Sequence, residues 1–311
     1  MGPHRKKTSL LELGPLLLLG VLWGIPYALT KIALETIPPI TLAAVRVSLA
    51  AMVLWTVVAL AGRRLPRQWS FAGHLLVQCS IACIIPYTFV AFGQQSVDSA
   101  LAAVLNSSTP LFVCLIGALW THHEPITAGR MSGAIVGLVG VVAIAGANAL
   151  LGFGRETLGQ AAIVLATFSS AASVIYGRRF VDEAPEVVAA GMLTWAAIVL
   201  IPLSLLVEAP WRVAPSFASL AALGVNALVT ALGFVIYFRL IRTAGSMSTA
   251  SASYLKPAIG VLIGCTLMGE PLTWTLAFGL CAILVGVAAI NGSISFSRSE
   301  FDLTRLNRIK L

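Results

Sequence analysis

Charged residues are scarce in this chain: they make up 10% of its 311 residues, against 58% for hydrophobic residues. Soluble proteins carry about 25% charged residues, so the shortage excludes an ordinary soluble enzyme, a disordered chain and a nucleic-acid-binding domain. Histidine occurs only four times, and the five cysteines lie in apolar runs without a CxxC pair. We therefore expect no enzymatic activity, no metal and no cofactor.

Long apolar runs are what the chain has instead. Each is long enough to cross a bilayer, which takes about 20 helical residues, and a helix satisfies its backbone polar groups internally. The sequence therefore predicts an all-α polytopic membrane protein with ten transmembrane helices. The predicted spans are 12–34, 40–62, 71–93, 98–120, 127–148, 157–179, 186–208, 214–239, 246–269 and 273–293.

Lysine and arginine are distributed unevenly between the predicted loops. With the N-terminus in the cytoplasm, the cytoplasmic segments contain 15 of them and the opposite loops only Arg155 and Arg212. The other three, Lys31, Arg46 and Lys256, fall within spans. Basic residues favour the cytoplasmic side, so both termini are predicted to be cytoplasmic and the protein to be a multi-pass protein of the cell inner membrane.

The second half of the chain repeats the first at an offset of 146 residues. The repeat unit contains five spans, and an odd number of spans makes the second copy enter the membrane from the opposite side. We therefore predict two inverted five-helix repeats, 1–148 and 157–293, and a basic cytoplasmic tail, 294–311. The matching segments are 124–127 with 270–273, 140–146 with 286–292, and Pro110 with Pro257 after a one-residue slip.

Several motifs resemble the EamA-type, ten-helix branch of the drug/metabolite transporter superfamily. The resemblance covers about residues 10–293, and the first repeat departs from it at His123, where the second has Gly269. Within the family the chain is similar to the YddG type. The motifs are Trp23-Gly24 followed by Lys31, Pro39 followed by Arg46, and the segment from Pro257 to Pro271.

This resemblance implies export of small organic solutes by alternating access, and for the YddG type export of amino acids, notably aromatic ones. Independently of the resemblance, inverted repeats are common in secondary transporters, which bind substrate near the membrane midplane between the repeats. The expected partners are a small-molecule substrate and the lipid bilayer. We expect no nucleic-acid partner, and we expect the protein to function as a monomer.

The most polar segments within spans surround the matched prolines Pro110 and Pro257. A proline leaves a backbone carbonyl one turn earlier without its donor, which is tolerated in the membrane beside protein or a wet cavity. For a single serine, a bond to its own helix is the favoured interpretation; for the two segments together we favour a site. The substrate-binding candidates they supply are Asn106, Ser108, Ser253, Tyr254 and Lys256.

Two of the cations within spans are candidates for function. Lys256 lies about ten residues into its span, or roughly 15 Å deep at 1.5 Å per residue. A cation at that depth either binds a substrate carboxylate or interacts with the carbonyls freed by Pro257. Arg46 lies about 9 Å deep, where partial snorkelling is possible, and we predict a structural or gating role. Pro110 and Pro257 are predicted helix breaks.

Aromatic side chains complete the predicted site. Trp23 and Tyr27 share a helix face because they are four residues apart, and Tyr87 and Tyr254 also lie away from the span ends. We expect these four to line a cavity that accepts apolar or aromatic groups. No Asp or Glu lies deep within a span, so facilitated export is the default mechanism.

The sequence leaves three alternatives to amino-acid export open. A drug, nucleoside or nucleotide-sugar carrier with proton exchange would have the same span pattern. A membrane enzyme acting on lipid would need clustered catalytic residues, and His122-His123-Glu124 is not an HExxH motif. A scaffold or receptor would not transport at all.

Overall fold

The computed structural model of the chain describes residues 10–63, 69–117, 128–149, 154–243, 249, 252 and 255–290. Within these ranges every regular element is a helix. The all-α prediction is therefore confirmed for the described residues. The predicted site residues Ser253 and Tyr254 lie outside them, as does the tail 294–311.

The helices follow the predicted spans along the chain. A π-helix, Ser80–Ile84, joins α4 to α5, and a 3₁₀ turn, Gly177–Phe180, follows α9. The first half contains α1 (Leu10–Gly24), α2 (Pro26–Ala33), α3 (Pro39–Leu60), α4 (Trp69–Cys79), α5 (Ile85–Gly93), α6 (Ser99–Asn106), α7 (Thr109–Ile116) and α8 (Ala128–Ala149). The second half contains α9 (Arg155–Tyr176), α10 (Pro185–Val207), α11 (Phe217–Thr243), α12 (Leu255–Leu267) and α13 (Trp274–Ile290).

Seven stretches of the described chain are long and apolar enough to cross a membrane. They are Gly14–Ala33, Pro39–Leu60, Trp69–Gly93, Ser99–Ile116, Arg155–Phe180, Pro185–Val207 and Phe217–Thr243. The other three predicted spans coincide with the shorter apolar helices Ser132–Ala143, Leu255–Leu267 and Trp274–Gly286. The chain is therefore a polytopic membrane protein, while ten spans with both termini in the cytoplasm remain a prediction.

Helices of the two halves pack against each other in corresponding pairs. Helix α3 packs against α10, α6 against α12, and α8 against α13. Helices α5 and α7 both contact α9, and α11 and α12 both contact α1. If α9 is taken as the counterpart of α1 and α2, this contact pattern is unchanged when the two halves are exchanged.

The outward-facing surface of the bundle is apolar. Leu60 and Leu206 are both 85% exposed, and Leu267 is 80% exposed. Large aliphatic side chains are buried in soluble proteins more often than almost any others, so a surface of this kind suits lipid. Trp69 and Trp274 are also exposed, and each begins a helix, which is the position that tryptophan favours at a membrane interface.

Glu208 holds the beginning of α3. Its carboxylate accepts the backbone N–H of Ile40 at 2.9 Å and that of Thr41 at 2.6 Å, and it also accepts the Thr41 hydroxyl at 2.7 Å. The residue before α3 is Pro38, which has no side-chain acceptor, and the first helical residue, Pro39, has no N–H. Glu208 therefore supplies the N-terminal cap that the local sequence lacks.

Glu270 holds the beginning of α6 in the same way, because it accepts the backbone N–H groups of Ser99 and Ala100 at 2.7 and 2.8 Å. The two carboxylates follow α10 and α12, so each ties a helix of the first half to the second half. A carboxylate at a helix N-terminus also interacts favourably with the helix dipole. These contacts could not be read from local sequence, since the partners are 167–171 residues apart.

Glycines allow α8 and α13 to cross closely. A Cβ added at Gly286 would lie 2.5 Å from the carbonyl oxygen of Gly133, and one added at Gly140 would lie 2.8 Å from the Cβ of Ala282. Gly260 faces Ala103 in the same fashion. Small residues permit such close helix contact in membranes, and here they are used for packing within the chain.

Candidate functional site

A cavity lies between the two halves of the bundle, with about 880 Å³ of empty space counted out to its opening. Residues from both halves line it: Trp23, Pro26, Tyr27, Thr30, Arg46, Ala82, Pro86, Tyr87, Val90, Asn106, Thr109, Ser170, Ser173, Val174, Phe234, Tyr237, Thr249 and Lys256.

Proline interrupts three of the lining helices at the cavity. Helix α1 gives way to α2 at Pro26, and α6 gives way to α7 one residue before Pro110. Pro86 follows the π-helix, in which the N–H of Ile85 reaches back to the carbonyl of Ser80. A proline ring clashes with the carbonyl four residues earlier, and a wider helical turn relieves that clash.

The interruptions place a functional side chain beside each proline. Tyr27 follows Pro26, and Tyr87 follows Pro86. Thr109 and Lys256 directly precede Pro110 and Pro257, and all four of these side chains line the cavity. Pro257 lies in the first turn of α12 and is itself buried, as is Pro110 in α7. The two prolines shape the cavity wall without facing the cavity.

Most of the lining residues form pairs, one member from each half of the chain, whose positions differ by a constant number of residues in the sequence. Twelve of the eighteen stand in pairs 147 residues apart. This separation equals the one that relates Pro110 to Pro257. The pairs are Trp23 with Ser170, Pro26 with Ser173, Tyr27 with Val174, Tyr87 with Phe234, Val90 with Tyr237, and Thr109 with Lys256.

Lys256 points into the cavity against an aromatic face. Its Nζ lies 4.7 Å from the centre of the Trp23 ring, within the range of a cation–π contact, and the residue is 7% exposed. The indole of Trp23 also packs on Tyr237, with ring centres 5.2 Å apart. Gly233 allows this arrangement, because a Cβ at that position would lie 2.9 Å from Nε1 of Trp23.

Arg46 is the second cation in the cavity. Its Nε donates to the hydroxyl of Thr230 at 2.7 Å, and its guanidinium stacks 3.9 Å above the centre of the Tyr87 ring. It therefore links α3 to α5 and α11. The structural or gating role of Arg46 stays a prediction.

Only some of the described residues of the two polar segments, those around Pro110 and Pro257, line the cavity. Asn106 lines it, and its amide donates to Thr167 at 3.2 Å. Ser108 is fully buried, does not line the cavity, and donates to the carbonyl of Leu105 in its own helix. The structure thus brings together Trp23, Tyr27, Arg46, Tyr87, Asn106 and Lys256.

Twelve of the eighteen lining residues were not among the predicted site residues: Pro26, Thr30, Ala82, Pro86, Val90, Thr109, Ser170, Ser173, Val174, Phe234, Tyr237 and Thr249. The repeat contained a signal for four of them, because a shift of 147 residues relates the predicted residues Trp23, Tyr27, Tyr87 and Lys256 to Ser170, Val174, Phe234 and Thr109. Thr30 and Thr249 have no such signal.

The side chains that line the cavity are of the kinds that bind a small molecule. In the part of the chain that the structure describes, no lining residue is Asp, Glu, His or Cys, and no group of three such residues could hold a metal ion. Aromatic walls, hydroxyls, one amide and two cations can hold an amphipathic solute with a negatively charged group.

The sequence of this chain is similar to those of known membrane transporters. Residues 13–146 and 157–292 each match the EamA-like transporter family. The "Uncharacterized inner membrane transporter YedA" of Escherichia coli K12 is 27% identical over 278 residues, which cover 88% of each chain. The "Uncharacterized transporter YvbV" of Bacillus subtilis is 26% identical over 298 residues, which cover 92% of each chain.

The "Probable amino-acid metabolite efflux pump" of Salmonella typhimurium is 24% identical over 281 residues, 87% of this chain and 91% of the relative. One solved structure shares the fold, with a TM-score of 0.67 at 20% identity over 95% of this chain and 98% of the other. These names indicate a transporter rather than an enzyme, and the predicted inner-membrane location is confirmed. The chain is a multi-pass membrane transporter and belongs to the EamA-like transporter family.

Proposed function

We propose that the protein is a secondary transporter that exports amino acids, including aromatic and apolar ones, and related small metabolites across the inner membrane. The observation that carries the proposal is Lys256 held against Trp23 inside an aromatic cavity between the two halves of the chain. Lys256 is placed to bind a carboxylate, and the aromatic walls to accept an apolar side chain. The names of two relatives, at 24% and 22% identity, support the same class of substrate.

The mechanism we propose is alternating access between two inverted five-helix repeats, 1–148 and 157–293. Exchange of the two halves leaves the helix contacts unchanged, and the lining pairs are separated by a constant 147 residues. Both observations support a two-fold relation that passes through the cavity. A site at such an interface opens to either side when one repeat rocks against the other.

We further propose that export is facilitative and that one chain suffices. Proton-coupled carriers commonly use a carboxylate within the membrane as the relay, and none of the eighteen described lining residues is Asp or Glu. The main alternative is a proton-coupled carrier of drugs or nucleosides.

Efflux from proteoliposomes tests the proposal. Vesicles containing the purified protein are loaded with labelled amino acids, nucleosides or a cationic drug, at equal pH on both sides. We expect apolar and aromatic amino acids or their close derivatives to leave faster than from vesicles without protein. Efflux that needs a pH gradient would support the proton-coupled alternative, and efflux of only nucleosides or drugs would refute the proposed substrate class.

A further inference from the structure

The charged residues that the structure describes at the cavity are all positive. Arg46 and Lys256 line it, and no Asp or Glu does so among the residues that the structure describes. The segment 244–254, which lies mostly outside those residues, reads AGSMSTASASY and contains no acidic residue either. The described carboxylates nearest in sequence to this region lie at helix ends, as Glu208 and Glu270 do.

Lys256 differs from Lys31, the other lysine within a span. The Nζ of Lys31 donates to two backbone carbonyls, those of Gln94 and Val97, both at 3.0 Å, and lies 4.0 Å from Asp98. In the described ranges, the contact of the Lys256 Nζ is the face of Trp23, an aromatic partner that attracts the ammonium but carries no negative charge.

This difference separates a structural cation from one in a binding site. Two of the three donors of Lys31 have backbone acceptors at the end of α5 and in the loop after it, and the nearby carboxylate of Asp98 compensates its charge. The donors of Lys256 lie at a cavity and find no carboxylate among the described residues. An uncompensated cation within a membrane protein is costly, and an anionic solute compensates it.

Arg46 strengthens the positive potential. Its Nε and its ring-facing side are occupied by Thr230 and Tyr87. These partners are uncharged, so the full positive charge remains at the cavity.

A free amino acid suits this cavity only in part. Its carboxylate fits beside Lys256, but its α-ammonium would enter a cavity that has two cations and no described carboxylate to pair with it. Like charges repel strongly where water is scarce. A related molecule in which the ammonium is absent or acylated avoids this repulsion and keeps the carboxylate and the apolar group.

We infer that the cavity selects carboxylates that carry an aromatic or apolar group and no basic amine, such as 2-oxo acids and N-acylated amino acids. The inference rests on the proposed export function and narrows its substrate class. Trp23, Tyr27 and Phe234 contact the apolar group, and Lys256 binds the carboxylate.

The test compares four solutes that share one phenyl group: N-acetylphenylalanine, phenylpyruvate, phenylalanine and phenylalanine amide. Each is loaded at equal concentration into proteoliposomes at pH 7 on both sides, and vesicles without protein provide the passive leak. We expect the two amine-free acids to leave about tenfold faster than phenylalanine, the ratio that a difference of ~1.4 kcal/mol produces. The amide, which has a cation and no carboxylate, should leave no faster than the leak.

Variants connect the selectivity to Lys256. Lys256→Met should lower efflux of both amine-free acids at least about tenfold, and Lys256→Arg should retain most of it because the charge is kept. Arg212→Met, which removes an exposed cation from a loop outside the cavity, is the matched control and should leave efflux unchanged.

The outcomes separate the inference from the proposed function. Efflux of phenylalanine equal to or faster than that of the amine-free acids overturns the inference and leaves the export function standing. Wild-type rates for the acids in Lys256→Met also overturn the inference. Transport of none of the four solutes overturns both.

Discussion

Gly233 is the position at which one added methyl group should alter transport without unfolding the protein. Its Cα faces the indole of Trp23, and a Cβ at that position would lie 2.9 Å from Nε1 and 3.3 Å from Cδ1. Comfortable contacts between such atoms lie at about 3.5–4.0 Å. In Gly233→Ala the indole therefore has to retreat by roughly 0.6–1.1 Å, away from α11.

The retreat disturbs the cation–π contact between Trp23 and Lys256, whose centre-to-Nζ distance is 4.7 Å. Such contacts contribute about 0.5–2 kcal/mol, so their loss corresponds to a roughly 2- to 30-fold rise in the apparent KM. Alanine also favours a helix over glycine by about 0.5–1 kcal/mol, which offsets the local crowding. We therefore expect little change in Tm.

The assay measures KM, maximal rate and Tm for the wild type, Gly233→Ala and Gly224→Ala, with the fastest solute of the efflux screen. Gly224 lies in the same helix, α11, and a Cβ there meets no atom within 4 Å. We expect Gly224→Ala to keep the wild-type KM. An unchanged KM in Gly233→Ala would refute the claim that the close approach of α11 positions the Trp23 indole for substrate.

Two further predictions concern stability, measured by unfolding in mixed micelles. Glu208→Ala removes the acceptor of two backbone N–H groups at the start of α3 and should lower the unfolding free energy by about 2 kcal/mol. The control Glu35→Ala, at an exposed position, should lower it by less than about 0.5 kcal/mol. Equal losses in both variants would contradict the capping role of Glu208. Gly286→Ala places a Cβ 2.5 Å from the Gly133 carbonyl oxygen and should lower the unfolding free energy by about 1–3 kcal/mol. The control Gly73→Ala, with open space around it, should not lower it. A Gly286→Ala variant as stable as the wild type would show that α8 and α13 can separate freely.

The fold class could be predicted because hydropathy is a local property. A run of about 20 apolar residues must be helical in a membrane whatever its neighbours are, and the described helices lie on the predicted spans. The proline interruptions were equally local: Pro110 removes a backbone donor wherever its helix packs. In the structure α6 ends at Asn106 and α7 begins at Thr109, the residue before Pro110.

The cavity was predictable where a residue is unusual for its surroundings. Lys256 and Arg46 stand out because a cation in a span is rare, and Tyr27 and Tyr87 stand out beside prolines. Ser170 and Phe234 do not stand out, because serine and phenylalanine occur on all faces of membrane helices. Their part in the lining follows from the packing of α9 and α11 around the cavity.

Ser108 shows most clearly why sequence alone does not identify every residue that lines the cavity. It precedes the lining residue Thr109 by one position, but successive residues of a helix point about 100° apart, and the Ser108 hydroxyl bonds to the Leu105 carbonyl instead. The polar composition of the segment was visible in the sequence, whereas the face that it presents to the cavity was not.

Composition and spacing alone established a membrane-embedded helical chain with a repeated plan, its broken helices and its few deeply placed cations. Tertiary structure decided which partners among the described residues those cations contact. Lys31 and Lys256 are alike in sequence, but the carbonyls after α5 reach only Lys31, and Lys256 lies against an aromatic ring at the cavity. The physical reason is that burial of a charge depends on partners far away in the chain, and only packing brings those partners into contact.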